Sequence, residues 1–331
     1  MQSIRRGVEL FLALSLDRQI ALVMLLLMVI IAPPANAIWS RQIQPNASLL
    51  LRSIDLPLQN SIIVPSRLTA EAPSAQIPGL TAQGVFAYDL QSGQVVYAFQ
   101  PDLQLPPAST TKIMTALVGL EAFDASPGSI ASISFTLAPF VEGQRLRLDR
   151  PETFLFQDTM NLLLIMSAND AALSLALAHP QGYQGFVERM NKTAKQLGMR
   201  NTTFFNPSGM PQTGHLSTAR DLGLLAREVL AKPQLREIVS SSSAEIRSVS
   251  GQSFTILSTN ALLGQLSPEI RVTGLKTGYT DEAGECLVTI AEIEGHEVVV
   301  VMLGSSDRFG ETEKVLRWIS EQYDWKQILL D

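Results

Sequence analysis

The stretch Pro106-Pro107-Ala108-Ser109-Thr110-Thr111-Lys112 decides how this chain is read. The next residues, Ile113-Met114-Thr115-Ala116-Leu117, include neither glycine nor proline and predict a helix over about 109–122. Positions i and i+3 of a helix share a face, so the Lys112 amine is within reach of the Ser109 hydroxyl. A serine alone is a weak nucleophile, and an unprotonated amine beside it turns it into an attacking group. The pair by itself more often marks a solvated helix end with a serine near the cap, because Ser-x-x-Lys arises often by chance.

Two further stretches give it weight. Ser167-Ala168-Asn169 and then Lys276-Thr277-Gly278 occur later in the chain. Ser-x-x-Lys, Ser-x-Asn and Lys-Thr-Gly, in that order, form the active-site set of penicillin-binding proteins and serine β-lactamases. Over about 81–325 the sequence resembles the serine-type D-alanyl-D-alanine carboxypeptidases, the low-molecular-weight penicillin-binding proteins. The resemblance extends to Asn206-Pro207-Ser208-Gly209, to His215-Leu216-Ser217-Thr218-Ala219-Arg220-Asp221-Leu222, and to Thr259-Asn260-Ala261-Leu262-Leu263. Ala168 stands where many members have glycine and Tyr279 where several have histidine, and neither position needs a particular side chain for the chemistry.

The 331 residues fit one or two domains. With 46% hydrophobic and 17% charged residues the chain can bury a core. The net charge of −6 is spread out, and no basic stripe points to nucleic acid. The single cysteine, Cys286, excludes an internal disulfide and lies in an apolar run, which predicts a buried thiol. His179, His215 and His296 lack metal-ligand spacing. No metal or cofactor is expected.

Residues 1–37 read as a signal peptide or N-terminal anchor. Arg5, Arg6 and Arg18 precede the apolar run Ile20 to Ala32, and Ala35-Asn36-Ala37 fits a cleavage site before Ile38. The run is shorter than the ~20 residues of a spanning helix. An uncleaved anchor, with membrane association through this segment, stays open. Residues 38–80 carry Pro45, Pro57, Pro65, Pro73 and Pro78 without a sustained period, and read as a linker. Residues 81–331 form the expected catalytic domain.

Within it, residues 85–90 and 95–99 predict strand, turn and strand. Residues 143–148 read as a short strand. Helices are expected over 157–166, 168–178, 183–197 and 218–230. Strands are expected at 254–257 and 272–276, and an antiparallel hairpin at 287–303 around Glu294-Gly295-His296. Residues 311–323 read as an amphipathic helix with Val315, Leu316, Ile319 and Tyr323 on one face, and as the last element. Strands from both ends with helices between them predict an α+β fold, an antiparallel sheet flanked by helices. The resemblance implies the β-lactamase/transpeptidase-like version, with an inserted helical subdomain and without the second β-rich domain and amphipathic anchor of some members.

The resemblance also implies the roles. Ser109 attacks the D-Ala-D-Ala carbonyl, and Lys112 takes its proton. Ser167 relays the proton to the leaving nitrogen, and Asn169 holds Lys112 and the substrate amide. Lys276 and Thr277 receive the substrate carboxylate, and Gly278 leaves room along the strand edge. The backbone N–H groups of Ser109 and Tyr279 form the oxyanion hole. An ordinary lysine is protonated at neutral pH, so Lys112 needs burial and a cationic neighbour, for which Lys276 is the candidate. The partners implied are a peptidoglycan pentapeptide on the exported side of a bacterial membrane and β-lactam inhibitors. Two alternatives share the motifs: a class A-like β-lactamase, and a non-catalytic wall-binding or β-lactam-sensing module. The first needs a deacylating glutamate, and Arg200-Asn201-Thr202-Thr203-Phe204-Phe205 has no acid at the corresponding place.

Overall fold

In a computed structural model, which describes residues 61–67, 77–123, 132–136 and 141–329, the apolar alternation of the strands settles the architecture. In β2 (Gly84–Asp89), Val85 and Ala87 enter one apolar cluster, Phe86 and Tyr88 the other. A strand with both faces apolar belongs in the middle of a sheet covered on both sides. Numbering β1 as Ser61–Arg67, β3 as Val95–Phe99, β8 as Gly264–Gln265, β9 as Ile270–Thr280, β10 as Gly284–Ile293 and β11 as His296–Ser305, the main sheet has the order β3-β2-β11-β10-β9-β8. Its named pairings are antiparallel. The β10–β11 hairpin turns at Glu294-Gly295, both at positive φ, as a tight hairpin turn requires. The expected α+β class is the one found.

The helices fall on the two faces. On one lie α1 (Lys112–Phe123), α2 (Phe156–Leu164), α3 (Asn169–Ala178), α4 (Gly182–Gln196), α5 (Ala219–Leu230) and α6 (Pro233–Val239). All but α6 match expected segments. Helix α1 has no polar face along its first two turns, since every residue from Lys112 to Gly119 is buried, and such a helix forms only inside a packed lobe. Helix α5 starts at Thr218, whose hydroxyl accepts from the Asp221 N–H, as an N-cap does. The other face is closed by α7 (Arg308–Gln322), through Val315, Leu316 and Ile319. Each such side chain contributes about 1.5–3 kcal/mol by leaving water. Two short ribbons complete the lobe: β4 (Ser132–Ser134) with β5 (Thr153–Leu155), and β6 (Ser243–Arg247) with β7 (Ser253–Leu257).

Three expectations change. Residues 61–67, placed in the linker, form β1, which pairs over its whole length with β12 (Tyr323–Leu329). Its partner lies at the far end of the chain, and Pro65 masks the strand pattern, although proline is tolerated on an edge. Tyr323 is not on the last helix. It opens β12, and its hydroxyl donates to the Val96 carbonyl at 2.8 Å, so the helix is followed by a strand. Residues 143–148 form no strand; their loop lies against α3. The leader, the cleavage site and most of the linker fall outside the described residues, among which no helix is long and apolar enough to cross a membrane.

Candidate active site

The nucleophile stretch folds as a 3-10 turn, Ala108–Thr111, that runs into α1 at Lys112. A turn of 3-10 type brings residues i and i+3 nearly into line. The Lys112 Nζ accordingly lies 2.8 Å from the Ser109 Oγ. It is also 2.7 Å from the Asn169 Oδ1 and 2.8 Å from the Ser208 carbonyl oxygen. The last two only accept hydrogen bonds. A neutral amine has two N–H groups and one lone pair. The two N–H groups satisfy Asn169 and Ser208, and the lone pair is left for the Ser109 hydroxyl.

The surroundings favour that neutral state. Lys112 is fully buried, and its pKa lies well below the lysine range, first through burial and then through the positive charge of Lys276. Asp170 opposes this as the nearby negative charge, but its own carboxylate is occupied by the N–H groups of Leu146 and Ala171. Asn169 cannot flip its amide. Its Nδ2 donates to the Glu142 carbonyl at 2.8 Å, and its backbone N–H donates to the Gln144 carbonyl at 2.7 Å. These carbonyls are what the 141–148 loop supplies in place of a strand.

Ser167 precedes α3 with φ at +65°, a left-handed value uncommon for serine. It is nearly buried, and its hydroxyl forms no hydrogen bond among the described residues. Lys276 and Thr277 are buried on β9. Burial, and next the Arg308 guanidinium, lowers the Lys276 pKa to about 7. The Lys276 amine donates to the Thr277 carbonyl, and the Thr277 Oγ1 lies 2.6 Å from the Thr259 Oγ1.

Gly278 has a reason that its strand position alone does not give. A Cβ there would lie 3.0 Å from the Ser109 nitrogen, 3.1 Å from the Ala108 Cβ and 3.2 Å from the Pro107 oxygen. The glycine lets β9 press against the nucleophile turn. Tyr279 comes next, with an exposed ring whose hydroxyl donates to Asp281.

The sequence reading missed Ser208 and Arg308. Ser208 acts through its carbonyl, which no side-chain motif reports. The Asn206 Oδ1 accepts from the N–H groups of Gly209 and Met210 and shapes that turn. A Cβ on Gly209 would fall 1.8 Å from the Ala108 oxygen, so the turn closes on the nucleophile only with glycine there. Arg308 Nη1 donates to the Gly278 carbonyl at 3.3 Å and adds a second cation beside Lys276. His215 makes hydrogen bonds to its surroundings through both ring nitrogens. Its Nδ1 accepts from the Phe205 N–H at 3.3 Å, so the proton sits on Nε2, which donates to the Thr111 Oγ1 at 2.9 Å. Burial holds its pKa at about 4. Arg271 pairs with Glu292 at an exposed strand end.

The comparisons with known proteins point the same way. The family model described as D-alanyl-D-alanine carboxypeptidase, Peptidase S11, matches residues 69–307. The chain is 31% identical over 248 residues to the D-alanyl-D-alanine carboxypeptidase DacF of Bacillus subtilis, a match covering 73% of this chain and 63% of that protein. The chain thus spans less than two thirds of that relative's length. It is 32% identical over 256 residues to the D-alanyl-D-alanine endopeptidase of Escherichia coli, covering 76% of this chain and 81% of that protein. The solved structure of penicillin-binding protein D2 from Listeria monocytogenes, in its ampicillin-bound form, superposes with a TM-score of 0.63 at 32% identity, covering 74% of this chain and 99% of that one. Fold and site define a serine-type peptidase of the penicillin-binding architecture. The chain belongs to the Peptidase S11 family of D-alanyl-D-alanine carboxypeptidases.

Proposed function

We propose that this protein hydrolyses the terminal D-Ala-D-Ala bond of peptidoglycan stem peptides through an ester on Ser109, and that β-lactams block it by acylating the same hydroxyl. The observation that carries this reading is the contact between the Ser109 Oγ and a buried Lys112 amine whose other neighbours are two carbonyl-type acceptors. Ser109 gives its proton to Lys112 as its oxygen attacks the D-alanyl carbonyl carbon. Ser167, with its hydroxyl uncommitted, passes a proton to the leaving nitrogen. The N–H groups of Ser109 and Tyr279 hold the oxyanion, and donors already in position for a developing charge lower the barrier most. Lys276 and Thr277, backed by Arg308, receive the free carboxylate of the leaving D-alanine. Water then cleaves the ester.

The group that the 206–209 turn sets against Lys112 is a carbonyl, not a carboxylate. That supports slow release of a penicilloyl group over β-lactamase turnover. The substrate places the working domain on the exported side of a bacterial membrane.

The test is intact-mass analysis with benzylpenicillin, alongside D-alanine release from a pentapeptide ending in D-Ala-D-Ala. The expected result is one adduct that persists for minutes, lost in Ser109→Ala, together with D-alanine release. Fast penicillin turnover without peptidase activity would favour the β-lactamase. Neither adduct nor release would favour the non-catalytic module.

A further inference from the structure

Helix α1 carries a further hydroxyl beside the Ser109–Lys112 pair. Thr115 lies three residues after Lys112, so the two side chains share a face of α1. Thr115 is fully buried, and its hydroxyl donates to the Pro207 carbonyl at 2.6 Å. A threonine inside a helix often bonds back to the carbonyl four residues earlier. This one reaches out of the helix, to a segment 92 residues away in sequence. The residue after Pro207 is Ser208, whose own carbonyl accepts from Lys112 at 2.8 Å. Successive carbonyls of the 206–209 turn therefore hang on two polar side chains of one helix face.

The two contacts are linked through the backbone. A peptide unit is planar, so a bond to its oxygen or to its N–H restrains the whole unit. Thr115 restrains the Pro207–Ser208 unit through its oxygen. Asn206 restrains the Ser208–Gly209 unit, the one that carries the Ser208 carbonyl, through the Gly209 N–H at 2.8 Å. Only the two soft dihedrals of Ser208 lie between them. The same loop is tied to the nucleophile segment again where the His215 Nε2 donates to the Thr111 Oγ1 at 2.9 Å. Thr111 and Thr115 bracket Lys112 in the chain, so the aim of the Ser208 carbonyl is set from the segment that carries the amine.

That aim decides what the amine does. While Asn169 and Ser208 each accept one N–H, the lone pair faces the Ser109 hydroxyl. If the Ser208 carbonyl withdraws, the freed N–H turns to the Ser109 Oγ, 2.8 Å away. The amine then donates to the nucleophile in place of taking its proton. We propose that Thr115 is a positioning residue of the acyl transfer: its hydroxyl, through the Pro207–Ser208 peptide, holds the carbonyl that turns the Lys112 lone pair toward Ser109. The proposal rests on the proposed function and adds to it a residue that acts through Lys112.

The experiment follows acylation of the full chain by a fluorescent penicillin in stopped flow, across pH, for the wild type, Thr115→Val and Thr115→Ser. Valine keeps the shape and removes the hydroxyl, and serine keeps the hydroxyl. Thr115→Val should acylate at least about tenfold more slowly at the plateau of its pH profile, as a misaimed catalytic group does, with penicillin affinity before acylation unchanged. Thr115→Ser should restore most of the rate. The acid limb separates aim from packing. The charges that act on Lys112 are Lys276 on β9 and Asp170 on α3, the 206–209 turn has none, and the variants alter neither. A carbonyl stabilises an ammonium more than a neutral amine, so its withdrawal should move the limb to lower pH, by ~1 unit. Loosened packing would instead admit water, relieve the burial of Lys112 and move the limb upward. Thr115→Ala serves if the valine variant does not fold. A wild-type rate in a folded variant without the hydroxyl, no recovery in Thr115→Ser, or a limb that stays or moves upward overturns the inference. Absence of a penicillin adduct and of D-alanine release in the wild type instead removes the proposed function, and the role of Thr115 with it.

Discussion

Asn169→Asp is the substitution that most directly probes the uncharged amine. It keeps the shape and replaces a neutral acceptor by a carboxylate 2.7 Å from the Lys112 Nζ. A unit charge pair at that separation, with an effective dielectric constant of ~20, is worth about 6 kcal/mol, or about four pKa units. Desolvation of the new carboxylate returns part of this, leaving an expected rise in the Lys112 pKa of about 2–3 units. Lys112 must lose its proton to act, so the acid limb of the acylation rate should move to higher pH by that amount. At a pH below both midpoints the rate constant falls about 100–1000-fold, and it recovers as the pH is raised. Stopped-flow acylation by a fluorescent penicillin across the pH range measures this. The second carboxylate oxygen would face the Glu142 carbonyl, which adds a loss of stability of about 1–3 kcal/mol, seen separately by urea unfolding. A uniform drop at every pH, with the acid limb unmoved, would refute the neutral-lysine argument and leave Asn169 a role in holding substrate only.

Two other outcomes come from packing and burial. Gly278→Ala drives a methyl group against the Ser109 nitrogen, the Ala108 Cβ and the Pro107 oxygen; overpacking of this kind costs about 1–3 kcal/mol, and acylation should slow at least tenfold, whereas an unchanged rate would show that the nucleophile turn yields freely. His215 has its pKa lowered to about 4, so between about pH 6.5 and 4 the unfolded chain binds the proton that the folded chain refuses, and stability falls as pH falls through that window, by about 3 kcal/mol at its lower end. Urea unfolding of the wild type and of His215→Gln at pH 7 and pH 4 should show that extra loss only in the wild type; parallel losses would rule it out.

Much of this fold is legible in the chain because its signals are local. The apolar runs of β10 and β11 and the Glu294-Gly295 turn each announce themselves within a few residues. The β1–β12 ribbon joins segments at opposite ends of the described chain, and no local pattern records a partner that distant. Tyr323 keeps the period of the preceding helix although its hydroxyl reaches back to Val96. In the site, Ser109, Lys112 and Asn169 are legible from motif order. The Ser208 contribution is not, because a main-chain carbonyl has no residue signature. Gly278 reads as the open side of its strand, and only the direction of its absent Cβ reveals the turn packed against it.

The Lys112 amine draws its neighbours from segments 57 and 96 residues away in sequence. Until both have docked, the amine lies in water, keeps its proton and leaves Ser109 an ordinary alcohol. On the proposed chemistry the domain is therefore inert while its chain is still assembling, and reactivity arrives as the last step of folding. A half-built domain neither cuts peptide nor captures a β-lactam, so labelling by penicillin reports the finished topology rather than the presence of the chain.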